Sequence, residues 1–218
     1  MNIVWYEDKF CYYVWKPANI PTTFGKEYSF LELLFQQEQQ KYPFIQSLSS
    51  VFCKEEEWGL LNRLDNVTTW LLYFAKSHEI RKHYKALQKE WKVYKYYLVE
   101  IYWDIRYRIK KYGKIIDFPI SHHKFCPEKM IVIDYQIKKS KADWKLHFVQ
   151  TEIIETQRNE NKGTTILLVR IKKGIRHQIR SHFSAIGYPI VWDKCYGKKK
   201  DPMIWNLQLF SVWLEVTS

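Results

Sequence analysis

Three short segments bring together residue types capable of chemistry: Asn62-Arg63-Leu64-Asp65, Lys95-Tyr96-Tyr97, and Gly174-Ile175-Arg176-His177-Gln178-Ile179-Arg180. Asp65 closes an apolar run, stands two residues after Arg63, and precedes Asn-Val-Thr-Thr, which favours a turn and then a strand. A carboxylate there either caps the turn or reacts. Kept ionised and aimed by a nearby guanidinium, it is a nucleophile. In the third segment, Arg176 and Arg180 are four residues apart on a helix marked by Ile175, Ile179, Phe183 and Ile186, so they share a face. Two neighbouring guanidiniums repel unless a phosphate, a carboxylate or both lie against them. Singly, each residue reads equally as a turn cap, a surface ion pair or a packed tyrosine; together they outline a site.

The elements that must position these residues are mostly strands. Ile3–Tyr6 and Phe10–Trp15, around Glu7-Asp8-Lys9, read as a hairpin closed by Lys16-Pro17. Ser29 and Glu32 fit a capping box before a stripe of Leu31, Leu34 and Phe35. Leu71–Ala75 is a short apolar strand. Ser77 can cap a helix that points Ile80, Tyr84 and Leu87 inward and carries Arg81, Lys82, Lys85 and Lys89 on its other face, as a solvated or a phosphate-tracking surface. Further strands are expected at Val93–Trp103, Met130–Tyr135, Lys145–Glu155 and Thr164–Ile171, the last two joined by a polar hairpin connection over 157–163. Gly187 and Pro189 end the helix of the third segment. With no βαβ alternation and no internal repeat, the pattern predicts one α+β domain over residues 1–218, built on a large mixed, mostly antiparallel sheet flanked by helices and loops.

Composition narrows the partners. Thirty-five Lys and Arg against 23 Asp and Glu give a formal charge of +12, spread along the chain, which suits a folded surface facing a polyanion. Ten Trp and 16 Tyr fill a core and can also stack on bases. Cys11, Cys53, Cys126 and Cys195 lie far apart, and no signal peptide or membrane-length apolar run is present, so a cytoplasmic protein with reduced thiols is expected. His122, His123 and Cys126 lack partners at ligand spacing, so no metal is expected.

Residues 59–76, GLLNRLDNVTTWLLYFAK, resemble the catalytic motif H-R-L-D-x-x-T-S-G-L-L-L-F-A-K of the RluA-type pseudouridine synthases. Residues 174–197, GIRHQIRSHFSAIGYPIVWDKCYG, are similar to that family's G-R-T-H-Q-I-R-x-H-x-x-x-x-G-H-P-I-x-G-D-x-x-Y-G. Val14-Trp15-Lys16-Pro17-Ala18-Asn19-Ile20-Pro21-Thr22 resembles its N-K-P-A-G-x-P-T, and Lys95-Tyr96-Tyr97 its K-x-Y. Order and spacing agree from about residue 3 to residue 213. The resemblance implies the pseudouridine synthase fold and isomerisation of uridine to pseudouridine in tRNA or rRNA, without metal or cofactor. It implies Asp65 as the nucleophile, at the sugar C1′ or at base C6, Tyr97 stacking on the uracil, and Arg180 pairing with the carboxylate. The target nucleotide must be extruded, and Arg63 is the candidate to fill its place and hold phosphate. Arg176, His177, Lys198 and Lys199 are further RNA-contact or supporting candidates, and a monomer is the default.

This sequence departs from the motif at four places. Asn62 stands for His, Trp70 for Gly, Ile175-Arg176 for Arg-Thr, and Asn19 for a turn glycine. The sequence opens at the first expected strand, and the small N-terminal S4 RNA-binding module of many relatives is not expected. A degraded relative that binds RNA without turnover is the alternative reading.

Overall fold

The computed structural model describes residues 3–23, 28–37, 41–133, 142–143, 145–197 and 206–217. The chain divides into two compact units, one of Met1–Val93, Phe210–Val212 and Val216–Ser218, the other of Tyr94–Leu209 and Trp213–Glu215.

In the first unit, β1 (Trp5–Glu7) and β2 (Cys11–Lys16) form the expected hairpin. Asp8 turns it, its Oδ1 accepting from the amides of Phe10 and Cys11 at 2.7 Å each. α1 (Phe30–Glu32) starts at the Ser29–Glu32 capping box and continues as a π-helical turn, Leu33–Gln37. α2 (Pro43–Val51) is absent from the sequence expectations because its serines weaken the helical pattern. Its one strong signal was Pro43 at the first helical position.

A 3₁₀ segment, Lys54–Gly59, leads toward β3 (Thr69–Ala75), which pairs antiparallel with β2 on one side. On the other side Phe210 and Ser211 run parallel to Thr69 and Trp70. Paired on both edges, β3 is a central strand, which explains its nearly unbroken apolar run. Leu72 and Phe74 of β3 share a core with Val14, Phe30, Leu31, Leu34, Phe44 and Ile45, all at most 1 % exposed. α3 (His78–Lys89) begins at Ser77, whose Oγ accepts from the Ile80 amide. Of its predicted stripe Tyr84 is buried, while Ile80 and Leu87 are only partly covered.

The chain continues with β4 (Val93–Tyr102), α4 (Arg106–Tyr112), β5 (Ile115–Ile116), β6 (Ile120–His122), β7 (Met130–Val132), β8 (Thr151–Asn159), β9 (Thr164–Ile171) and α5 (Gln178–Ala185), which belong to the second unit apart from Val93, and β10 (Leu209–Val216), whose residues are divided between the units. β4 pairs antiparallel with β9 from Lys95↔Ile171 to Tyr102↔Thr164. β9 pairs with β8 across a bulge between Ile153 and Glu155, and β8 with β5. β6 and β7 form a separate two-stranded ladder. Both parallel and antiparallel pairings occur beside helices, so the chain is α+β with a mixed, mostly antiparallel sheet, as expected.

Two boundaries differ from the sequence reading. The strand expected over Lys145–Glu155 begins only at Thr151. The segment before it includes an isolated bridge in which His147 and Ile120 exchange backbone bonds. The helix expected from Ile175 begins at Gln178, because His177 takes a left-handed conformation at φ 53°.

Candidate active site

Asp65 sits in a turn closed by the Thr68 amide donating to the Asp65 carbonyl at 3.0 Å. The approach to that turn alternates: Asn62 and Leu64 are buried, Arg63 is exposed, and Asp65 is partly covered. Local hydrogen bonds explain the alternation. The Asn62 side chain donates to the Leu71 carbonyl at 3.2 Å and accepts from the Tyr73 amide at 2.9 Å, clipping the segment to β3 as a ladder residue would. Asn62 in the histidine position is therefore a backbone clamp.

One turn further on, the buried Thr22 hydroxyl donates to the Leu64 carbonyl at 2.8 Å and accepts from the Leu64 amide at 3.1 Å. Both backbone groups of the residue preceding Asp65 are thus fixed by one side chain. Arg63 points outward, its guanidinium 2.6 Å from Glu57 and its side chain 66 % exposed. An exposed arginine two residues from a fixed carboxylate can move onto a phosphate or into a vacated stack without disturbing the core.

Lys16, at the end of β2, is fully buried. Its ammonium donates to the carbonyls of Pro17 at 2.8 Å, Ile20 at 2.7 Å and Asn66 at 3.1 Å. All three of its protons are used, tying the loop after β2 to the turn that carries Asp65. Burial lowers its pKa to about 8, and the charge of Asp65 acts in the opposite direction. Sequence reasoning passed over this residue. The signal was a lysine inside an aromatic strand that turned out to be covered on every side.

In the second unit Tyr97 is buried on β4, opposite Val169 of β9. Its neighbour Tyr96, facing the other side of the strand, stacks on Trp213 at 4.4 Å and bonds Glu215. Burial brings Lys95 down to about 8.

Every residue of α5 from Gln178 to Phe183 is buried. Arg180 grips Asp193 through two parallel bonds, Nε to Oδ2 and Nη2 to Oδ1, at 2.8 Å each, with side-chain exposures of 6 % and 0 %. Asp193 Oδ1 also accepts from the amides of Cys195 and Tyr196 at 2.9 and 3.0 Å, so the pair organises the following loop. Gly197 closes it: a Cβ there would lie 2.5 Å from the Asp193 carbonyl, so only glycine fits.

Tyr196 ties this cluster together. Its ring lies 5.2 Å from the Arg180 guanidinium carbon, and its hydroxyl accepts from the Met130 amide at 2.7 Å and meets His177 Nδ1 at 3.0 Å. Burial raises the Tyr196 hydroxyl above the ordinary phenol range. His177 thus contacts the Arg180 cluster through Tyr196.

Arg176 lies outside α5, which corrects the shared helical face expected for Arg176 and Arg180. Arg176 is exposed and donates to the carbonyls of Pro127 at 3.0 Å and Glu128 at 3.4 Å. His182 is fully buried between Thr151 Oγ1 and the Phe118 carbonyl, and burial lowers its pKa to about 4. It is neutral and structural. Lys198 and Lys199 lie outside the described residues. Among the described residues no cluster of three His, Cys, Asp or Glu could hold a metal, and no helix is long and apolar enough to cross a membrane.

This chain has counterparts among known proteins. A family model described as RNA pseudouridylate synthase matches residues 11–185, and the chain belongs to this family. An uncharacterized RNA pseudouridine synthase of Aquifex aeolicus is 31 % identical over 155 residues, 71 % of this chain and 44 % of that protein. Ribosomal large subunit pseudouridine synthase D of Pseudomonas aeruginosa is 32 % identical over 139 residues, 64 % of this chain and 38 % of that protein. The matched stretch therefore spans less than half the length of both relatives. Among solved structures, human RNA pseudouridylate synthase domain containing 1 shares the fold with a TM-score of 0.73 at 20 % identity, covering 99 % of this chain and 78 % of that one.

Proposed function

We propose that this protein is an RNA pseudouridine synthase that isomerises specific uridines, with Asp65 as the nucleophile. The observation that carries the proposal is the turn itself. Asn62, Thr22 and Lys16 fix the backbone around Asp65, while Arg63, two residues before it, is exposed and held only at the surface by Glu57. A carboxylate on a fixed backbone turn with a solvent-exposed cation close by suits a reaction in which the nucleotide is extruded and then attacked.

In the proposed reaction the Asp65 carboxylate adds to the sugar C1′ or to base C6. The bond between N1 and C1′ breaks, the uracil turns, C5 bonds to C1′, and the bond to Asp65 breaks to return the free carboxylate. The proton on C5 leaves and N1 ends protonated, so no oxidant, metal or energy source is consumed. Arg63 takes the space of the extruded nucleotide and neutralises a phosphate. Tyr97 serves the uracil and accepts or relays the C5 proton, and Arg180 serves the carboxylate, as the family resemblance implies. The printed names of relatives such as the Pseudomonas protein point to large-subunit rRNA as the first substrate to try, with tRNA second.

The test is carbodiimide mapping of pseudouridine in total RNA from cells with and without the gene, complemented by wild type or Asp65→Ala. Loss of a discrete site on deletion, restored by wild type only, is expected. Restoration by Asp65→Ala would remove Asp65 from the chemistry. RNA binding without any change in modification would favour a non-catalytic binder.

A further inference from the structure

Among the described residues eight that are not glycine have positive φ, and five of them are tryptophans: Trp58, Trp70, Trp91, Trp103 and Trp192. Of the eight described tryptophans, only Trp5, Trp15 and Trp213 lie outside that group. For a bulky L-residue this region brings Cβ against the following carbonyl, and Asn or His enters it far more readily, as Asn19 and His177 do here. Trp70 is half-buried, with its ring 4.6 Å from Phe210 and 5.1 Å from Trp15, and of the five Trp58 alone is buried by its packing. Trp58 is 9 % exposed and stacks on Phe35 at 4.3 Å with an interplanar angle of 1°.

The other four occupy backbone positions that suit glycine. Trp91, at φ 62°, is the C′ residue of a Schellman motif that ends α3: its amide donates to the Gln88 carbonyl at 3.3 Å, and the Lys92 amide to that of Leu87 at 3.0 Å. Trp192, at φ 58°, is the third residue of a turn closed by the Asp193 amide donating to the Ile190 carbonyl at 3.2 Å, the position where a turn with positive φ takes glycine. Trp103, at φ 66°, leaves β4 in a turn in which its amide donates to the Gly163 carbonyl at 3.1 Å. Trp70, at φ 82°, lies in β3 opposite Lys16 on one side and Ser211 on the other. Trp91 and Trp103 are each 48 % exposed, so burial does not account for their rings.

Composition supports the same point independently. The chain has 7 glycines and 10 tryptophans in 218 residues, whereas ordinary usage of about 7 % gives roughly 15 glycines for this length.

We infer that positions 70, 91, 103 and 192 are glycine in the protein as its source cell makes it, each encoded by UGA. That codon is one base from a tryptophan codon and one base from a glycine codon, and different genetic codes read it as stop, tryptophan or glycine. The consequence reaches the candidate site, because position 70 opens the strand after the Asp65 turn and position 192 precedes the aspartate gripped by Arg180. A smaller residue at each leaves the described backbone unchanged and relieves it. The inference does not depend on the proposed activity.

The direct test is to read the gene and to sequence tryptic peptides of the protein purified from its source cells. UGA at codons 70, 91, 103 and 192 with glycine in the peptides is expected, and UGG at codon 58. UGG at those four codons, or tryptophan in the peptides, would overturn the inference. A second measurement uses recombinant protein carrying Trp70→Gly, Trp91→Gly, Trp103→Gly and Trp192→Gly together. Its Tm should rise by several degrees over the all-tryptophan chain, whereas Trp58→Gly should lower it. A fall in Tm for the fourfold variant would mean that the rings are native packing elements and would also count against the inference.

Discussion

Asn62 holds Asp65 in place through the main chain of β3 without facing a substrate. Replacing it by leucine strands one buried donor, the Tyr73 amide, while the Leu71 carbonyl keeps the Ser211 hydroxyl as its donor. An unmade buried bond costs about 1–3 kcal/mol, so Asn62→Leu should lower stability by roughly 1–3 kcal/mol, read from urea midpoints at constant slope. His182 makes a different claim at the same scale. Its folded pKa of about 4 lies below the ordinary 6.5, so between those values the unfolded chain holds a proton that the folded chain refuses. Stability from this group is therefore complete above pH 6.5 and is lost as the pH falls toward 4, by about 3 kcal/mol in total. A urea series from pH 7 to 4 should show that slope. His182→Gln should flatten it, and an unchanged slope would assign the acid sensitivity to other groups.

At the scale of elements, what could be read in advance was what neighbours in sequence decide. The β1–β2 hairpin, the Ser29–Glu32 box and the Ser77 cap depend on residues at most a few places apart. Sequence reading found all three. The start of α5 escaped it because His177 adopts a left-handed conformation that nothing in Ile175-Arg176-His177 announces. That shift placed Arg176 and Arg180 in different surroundings.

The partner of Arg180 was equally hidden, since Asp193 lies 13 residues away across a turn. Lys16 was invisible for the same reason, because one of its three acceptors is 50 residues distant. The α5 end can be tested through its ion pair. Asp193→Ala leaves a guanidinium that is 6 % exposed without this carboxylate and removes the acceptor for two loop amides. Breaking such a pair costs about 3–5 kcal/mol. A much smaller loss in urea unfolding would mean that the loop re-forms around another acceptor.

For the molecule as a whole, the +12 charge makes a prediction about ionic strength. On α3, Lys82, Lys85 and Lys89 are exposed at spacings of three and four, and among the described residues none of them forms an ion pair. If the proposed RNA substrate runs along this face, each lysine displaces counterions on binding. Lys82→Gln, Lys85→Gln and Lys89→Gln together should then reduce the slope of log affinity against log salt by about 2. These side chains face away from Tyr84, so Tm should hold. An unchanged slope would place the RNA elsewhere and leave the assignment of Asp65 untouched.

The parallel pairing of Phe210 and Ser211 with the start of β3 also carries a timetable. Ser211 Oγ donates to the Leu71 carbonyl across 140 residues of chain. At synthesis rates of about 5–20 residues per second, that edge of β3 waits roughly 7–28 s on the ribosome before its partner exists. During this interval β3 offers a bare row of donors and acceptors beside an apolar strand, which invites wrong pairing. The newborn chain is thus most exposed to misfolding after the Asp65 turn has been made and before that turn's neighbouring strand is complete. Slow translation between codons 76 and 209 would lengthen the hazard, and a chaperone that shelters strand edges would shorten it.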